Sequence, residues 1–145
     1  MKGLIIKRPW IDLILDGTKS WEIRGRATTI RGTIALIQSG SGLIMGTAAL
    51  IDCLALTPDD YRKAEALHRI PQTADQPLPY PRIYAWVLAH PQRFATPVPY
   101  RHPQGAVIWV NLPEAALVGA LGSYDAADVF HYRPDPGRGV LCRRG

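Results

Sequence analysis

The sequence predicts an α+β domain: a small, mostly antiparallel β-barrel with two inserted helices and a carboxyl-terminal extension. Three observations carry that expectation. Five or six short runs rich in β-branched, aliphatic and aromatic residues are separated by turn-forming residues, as strands are. Only two segments read as helices, each between strands, and the long crossovers that a parallel sheet demands are missing. The chain has 145 residues, 47% apolar and 20% charged, which suits one core and leaves no room for a second.

The first strand is the run Leu4-Ile5-Ile6, stopped at Lys7-Arg8-Pro9, where proline can begin a helix but cannot continue a central strand. Trp10 to Asp16 is nearly all apolar and precedes Gly17, so it is expected as a short buried helix that reverses at the glycine. Lys19 to Arg24 alternates, with Lys19, Trp21 and Ile23 on a core face and Ser20, Glu22 and Arg24 on a polar one. Gly32 to Gln38 and Leu43 to Cys53 flank the turn Ser39-Gly40-Ser41-Gly42 and predict a hairpin. Thr57 can cap a helix that starts at Pro58, with Asp59 and Asp60 at the positive end of its dipole, and this helix is expected to reach about Arg69. Pro71 to Pro81 is a proline-rich strap. Tyr84 to Leu88 and Ala106 to Val110 are expected strands, with Pro97-Val98-Pro99-Tyr100 an edge-like piece between them. Residues 1–113 form the expected domain. Residues 114–145, where Ala115 to Leu121 reads as a weak helix, form the extension.

Charge is unevenly spread. The chain carries a net +5, and from Met1 to Arg31 seven basic residues (Lys2, Lys7, Arg8, Lys19, Arg24, Arg26, Arg31) meet three acids (Asp12, Asp16, Glu22), a net +4. A local positive field of this kind attracts phosphate, although a solvated basic face explains the count equally well. No run approaches the length of a membrane span, and the two cysteines, Cys53 and Cys142, lie far apart with no C-x-x-C pair. The expectation is a cytoplasmic protein with neither a disulfide framework nor a zinc knuckle. Four histidines without a spaced pair predict no metal site, and nothing in the chain asks for a cofactor.

The densest polar cluster is Gly17-Thr18-Lys19-Ser20-Trp21-Glu22-Ile23-Arg24. Glu22 and Arg24 can form a plain ion pair, yet Lys19, Arg24 and Arg26 crowd a single carboxylate and leave cationic charge free for a ligand. Trp10, just after Arg8-Pro9, is the best candidate among the four tryptophans for stacking on a base, beside the competing expectation that it packs in the core. Beside Ser39, Gly40 and Gly42 can let backbone amides approach a phosphate, although hairpin geometry explains the two glycines equally well. His68 closes the second helix, where a dipole partner is the bland reading and an acid or base for phosphodiester cleavage the sharper one.

In order along the chain, Pro9-Trp10, the G-x-K-x-x-E-x-R pattern of Gly17, Lys19, Glu22 and Arg24, Gln38-Ser39-Gly40 and Gly46-Thr47-Ala48 resemble the ASCH domain, named for homology to an activating signal cointegrator. Leu56-Thr57-Pro58, Tyr84-Ala85-Trp86-Val87 and Val107-Ile108-Trp109-Val110 extend the resemblance over residues 3 to 113, towards one bacterial branch. The family belongs to the pseudouridine synthase and archaeosine transglycosylase (PUA)-like superfamily of small barrels. The resemblance implies a cleft between the first helix and the barrel, suited to RNA or a nucleotide-like ligand. Family members include nucleic-acid binders, a ribonuclease and amidohydrolases of N4-acetylcytidine, so one fold carries several chemistries. The amidohydrolase lysine falls on Lys19, but its nucleophilic threonine falls on Glu22 and its acid near Glu65. A carboxylate attacking an amide would give an anhydride, which suits Glu22 to a base or binding role, and Ser20 is the nearest hydroxyl.

Three readings follow. The first is an RNA- or nucleotide-binding domain using Arg8, Trp10, Lys19, Ser20, Glu22, Arg24, Arg26 and Ser39. The second is a hydrolase of RNA or a modified nucleoside with Lys19 and Glu22 handling protons and His68 assisting. The third is a protein-interaction module contacting its partner through the strap and tail.

Overall fold

The computed structural model describes residues 1–117. One six-stranded sheet organises them: β1 (Lys2–Ile6), β2 (Trp21–Arg24), β3 (Gly32–Gln38), β4 (Leu43–Leu56), β5 (Ile83–Pro99) and β6 (Trp109–Asn111), in the order β2-β5-β4-β3-β1-β6. Strand β1 runs parallel to β3 and every other pairing is antiparallel. Three short helices complete it: α1 (Trp10–Leu15), α2 (Pro58–Lys63) and α3 (Glu65–His68).

The sheet curls without closing. Bulges in the β4–β5 ladder at Ile44/Gly46, Thr47/Ala49 and Leu50/Asp52 bend the two longest strands. The bending carries β5 round to β6, and Trp86 and Trp109 stack at 5.7 Å although three strands lie between theirs. The two edge strands, four and three residues long, do not pair with each other among the described residues. The expected closed barrel is therefore an open, curled sheet with a seam between β2 and the β1–β6 edge.

Alternation sorts both faces into cores. Leu4, Ile6, Ile34, Leu36, Leu50 and Trp86 point inward and are covered by Ile11 and Ile14 of α1. Ile37, Ile44, Phe94, Val110 and Leu112 pack on the outer face near β6, and Ile23, Ile83 and Ala85 meet Tyr61 of α2. Leu117 is fully buried in the group with Phe94, so the packed chain runs past residue 113. Beyond a 3-10 turn at Glu114–Ala116, the rest of the expected extension lies outside the described residues.

Local chemistry explains most elements. Gly17 adopts φ 83 after α1, and Thr57 and Asp60 form a reciprocal capping box ahead of Pro58. The single helix expected from Pro58 to Arg69 is broken at Ala64 into α2 and α3. The strand expected at Tyr84 to Leu88 and the edge-like piece expected at Pro97 to Tyr100 belong to one strand, Ile83–Pro99. Only Tyr84 to Val87 have β2 on their free side, so Pro91, Pro97 and Pro99 sit where no second ladder needs a donor. The last strand is shorter than expected, because Ala106, Val107 and Ile108 follow a tight turn at Gly105 (φ 81) and precede β6. Among the described residues no helix is long and apolar enough to cross a membrane.

Candidate functional site

The seam holds a cavity of about 490 Å³. Its floor comes from β2. Glu22 lies opposite Trp86 in the ladder and so shares the inner face of the sheet, whereas Ile23 lies opposite Ala85 and faces α2. The face that reads as polar in the sequence thus points into the molecule, and both Glu22 and Ile23 are buried.

Lys19, 2% exposed, donates from Nζ to the carbonyls of Trp21 (2.7 Å) and His68 (2.6 Å) and lies 5.1 Å from the Trp10 ring centroid. Burial pushes its ammonium down to about 8, while Glu22 pulls it up and Arg24 lowers it further. Glu22, 7% exposed, has Oε1 3.8 Å from Arg24 Nε and leaves Oε2 buried without a partner. Burial raises this carboxyl above its ordinary range, and Lys19 and Arg24 oppose the rise. Arg24 donates from Nη2 to the Ile5 carbonyl at 2.9 Å, bridging the seam, and its guanidinium stands 5.6 Å from the Trp86 ring centroid.

Of the residues expected at a site, Trp10, Lys19, Glu22, Arg24 and Ser39 line this cavity. Arg26 lines a neighbouring one. Arg8 instead pairs with Asp12 at 3.0 Å on the surface, one helical turn away. Ser20 turns to a small hollow beside Leu88 and Pro91. The His68 ring is occupied by backbone: Nε2 meets the Tyr61 carbonyl at 2.8 Å, Nδ1 accepts from the Ile70 amide at 2.9 Å, and the ring stacks on Tyr61. Burial lowers its basicity, and neither nitrogen is left for proton transfer at the cleft. Glu65 is exposed and holds the Gln72 amide.

Sequence reasoning missed Lys7 and an apolar wall of Ile5, Ile70, Tyr80, Val107 and Ile108. Tyr80, the one aromatic residue within the proline strap, was the available signal. Val107 and Ile108 read as strand interior, which hid their exposure. Among the described residues no three metal-ligating side chains gather.

A sequence model of the ASCH domain matches residues 4–98. The fold is similar to the crystal structure of ASCH from Zymomonas mobilis, with a TM-score of 0.60 and 13% identity over 85% of this chain and 94% of that one. Two point mutants of that Zymomonas mobilis protein match at TM-scores of 0.53 and 0.51, each 13% identical, over 83% and 84% of this chain and 94% and 96% of theirs. At such identity the likeness is one of fold. No curated protein matches the chain in sequence.

Proposed function

This chain belongs to the ASCH domain family, and from that premise we propose that it binds RNA or a nucleotide-like ligand in the seam cavity. The observation that carries the reading is the buried Glu22 oxygen without a partner, set beside the buried Lys19 and the half-buried Arg24 at the floor of an open cleft. One carboxylate faces Lys19 and Arg24, with Lys7 at the rim, so cationic charge exceeds its partners. Two Nζ protons of Lys19 go to carbonyls and one is left; Arg24 spends one donor on Ile5 and keeps others for a phosphate. Trp10 supplies an apolar wall for a base, and the open Glu22 oxygen accepts from a base amino group.

A specific observation favours hydrolysis as the second reading. Lys19 is held down to about 8 and Glu22 is held above its usual range, which sets two proton-handling groups at the floor of one cavity. Incubation with labelled single-stranded RNA and with N4-acetylcytidine, scoring retention and product together, separates the two. A binder retains RNA in a salt-dependent way and releases nothing. A hydrolase releases product at catalytic protein levels, and Glu22→Gln lowers its turnover by about 100-fold or more. Neither retention nor product refutes both.

A further inference from the structure

Beyond Arg24 the seam opens into a second cavity of about 500 Å³. Arg24, Tyr80 and Ile108 line both cavities and form the partition between them. The walls of the second are aromatic and backbone-rich. Trp86 is buried, its indole Nε1 donating to the Arg26 carbonyl at 2.9 Å, whereas Trp109, stacked on it, is only half-buried and is the ring that a ligand reaches. Gly25 lets Tyr80 take its place: a Cβ there would stand 2.7 Å from the Tyr80 ring, which the bare backbone allows to lie across the strand end. Arg26 stands exposed at the rim.

Three of the four large hydrophobic residues exposed among those described, Tyr80 (37%), Val107 (76%) and Ile108 (37%), stand round these two openings. Apolar surface gathered beside the buried Lys19 and the half-buried Arg24 is what a stacked base covers and a solvated face has no use for. Arg24 sits at the boundary, fixed by Ile5 on one side and lying over Trp86 on the other, with donors still open.

We propose that the second cavity is a base-binding subsite, so that the minimal ligand is two consecutive nucleotides of a single strand with their linking phosphate at Arg24. The proposal rests on the reading that the first cavity holds a nucleotide. A base entering the second cavity stacks on Trp109 and Tyr80, and Arg26, exposed at the rim, adds positive charge beside the phosphates of the strand.

Titration of the full chain with AMP, the dinucleotide pApA and the trinucleotide pApApA, followed by calorimetry, tests it. The dinucleotide is expected to bind at least about tenfold more tightly than AMP, the size of one added stacking contact, and the third nucleotide to add less than about threefold. In Trp109→Leu the ratio of pApA to AMP affinity is expected to fall to about one, and Trp109→Phe, which restores a ring, to recover most of it. Arg26→Ala, which removes an exposed side chain and keeps the carbonyl that holds Trp86, is expected to lower the ratio about threefold and decides the matter if Trp109→Leu fails to fold. AMP and pApA binding equally, or an undiminished ratio in Arg26→Ala together with Trp109→Leu or its unfolding, overturns the second subsite and leaves the first standing. Binding of neither overturns both.

Discussion

The surface cluster on α1 joins Arg8, Asp12, Asp16 and Arg93; the cluster at β2 joins Lys19, Glu22 and Arg24. On the surface, Arg8 meets Asp12 at 3.0 Å and Arg93 meets Asp16 at 3.0 Å and Asp12 at 3.5 Å, so two cations have two carboxylates in partly exposed, solvated positions. At β2 two cations share one carboxylate, all three are largely buried, and backbone carbonyls supply the remaining partners. Water can replace any contact in the first cluster and few in the second. The difference teaches where to look for function: residual charge matters where solvent cannot neutralise it.

The sharpest way to break this comparison is to remove one cation from each side. Lys19→Met orphans two carbonyls and is expected to cost about 2–3 kcal/mol in urea unfolding, against less than about 0.5 kcal/mol for Arg8→Ala. Equal losses would show that the β2 cluster is as replaceable as the surface one. Binding gives the second contrast. Arg24→Gln is expected to weaken single-stranded RNA about tenfold and flatten the salt slope by about 0.7, one phosphate contact, whereas Arg8→Ala stays within about twofold. Parent-like affinity and slope in Arg24→Gln would move the site away from β2.

The pH dependence sharpens the comparison further. The folded state lowers the Lys19 value from 10.5 to about 8, so between these values the unfolded chain holds a proton that the folded chain has released, and stability rises with pH across that window. Affinity for RNA moves the opposite way, because the ammonium is lost, and is expected to fall severalfold from about pH 7 to 9. Since Glu22 props this value up, Glu22→Gln is expected to shift the fall to lower pH. An affinity flat across that range would exclude Lys19 from the ligand. The smallest effect is that of Glu22→Gln on binding at about pH 6, where Lys19 keeps its proton: size and one acceptor survive, a negative charge is lost, and affinity is expected to equal the parent's or exceed it by up to about threefold. A tenfold loss would show that the carboxylate charge itself is read by the ligand.

How much of this the sequence discloses depends on the range of the interaction. Gly17 and the Thr57–Asp60 box are local devices, and both are formed where their neighbours imply. The prolines of β5 read as interruptions because the sequence does not show that β2 covers so little of that strand. Lys19, Glu22 and Arg24 stand out as a cluster, but their burial does not: the carbonyl that holds Lys19 belongs to His68, 49 residues away. Nor can alternation say that the polar face of a strand lines an interior cleft, because the period is the same whichever side solvent takes.

The bond from Lys19 to the end of α3 bears on how such a motif persists through descent. A lysine that ties two distant segments together is kept for folding whether or not its third proton ever meets a ligand. A lineage that lost its substrate would be expected to retain it, while the wall residues Tyr80, Val107 and Ile108, which close no such tie, drift first. Inheritance of activity is therefore written more legibly in that exposed apolar rim than in the motif lysine that first draws the eye.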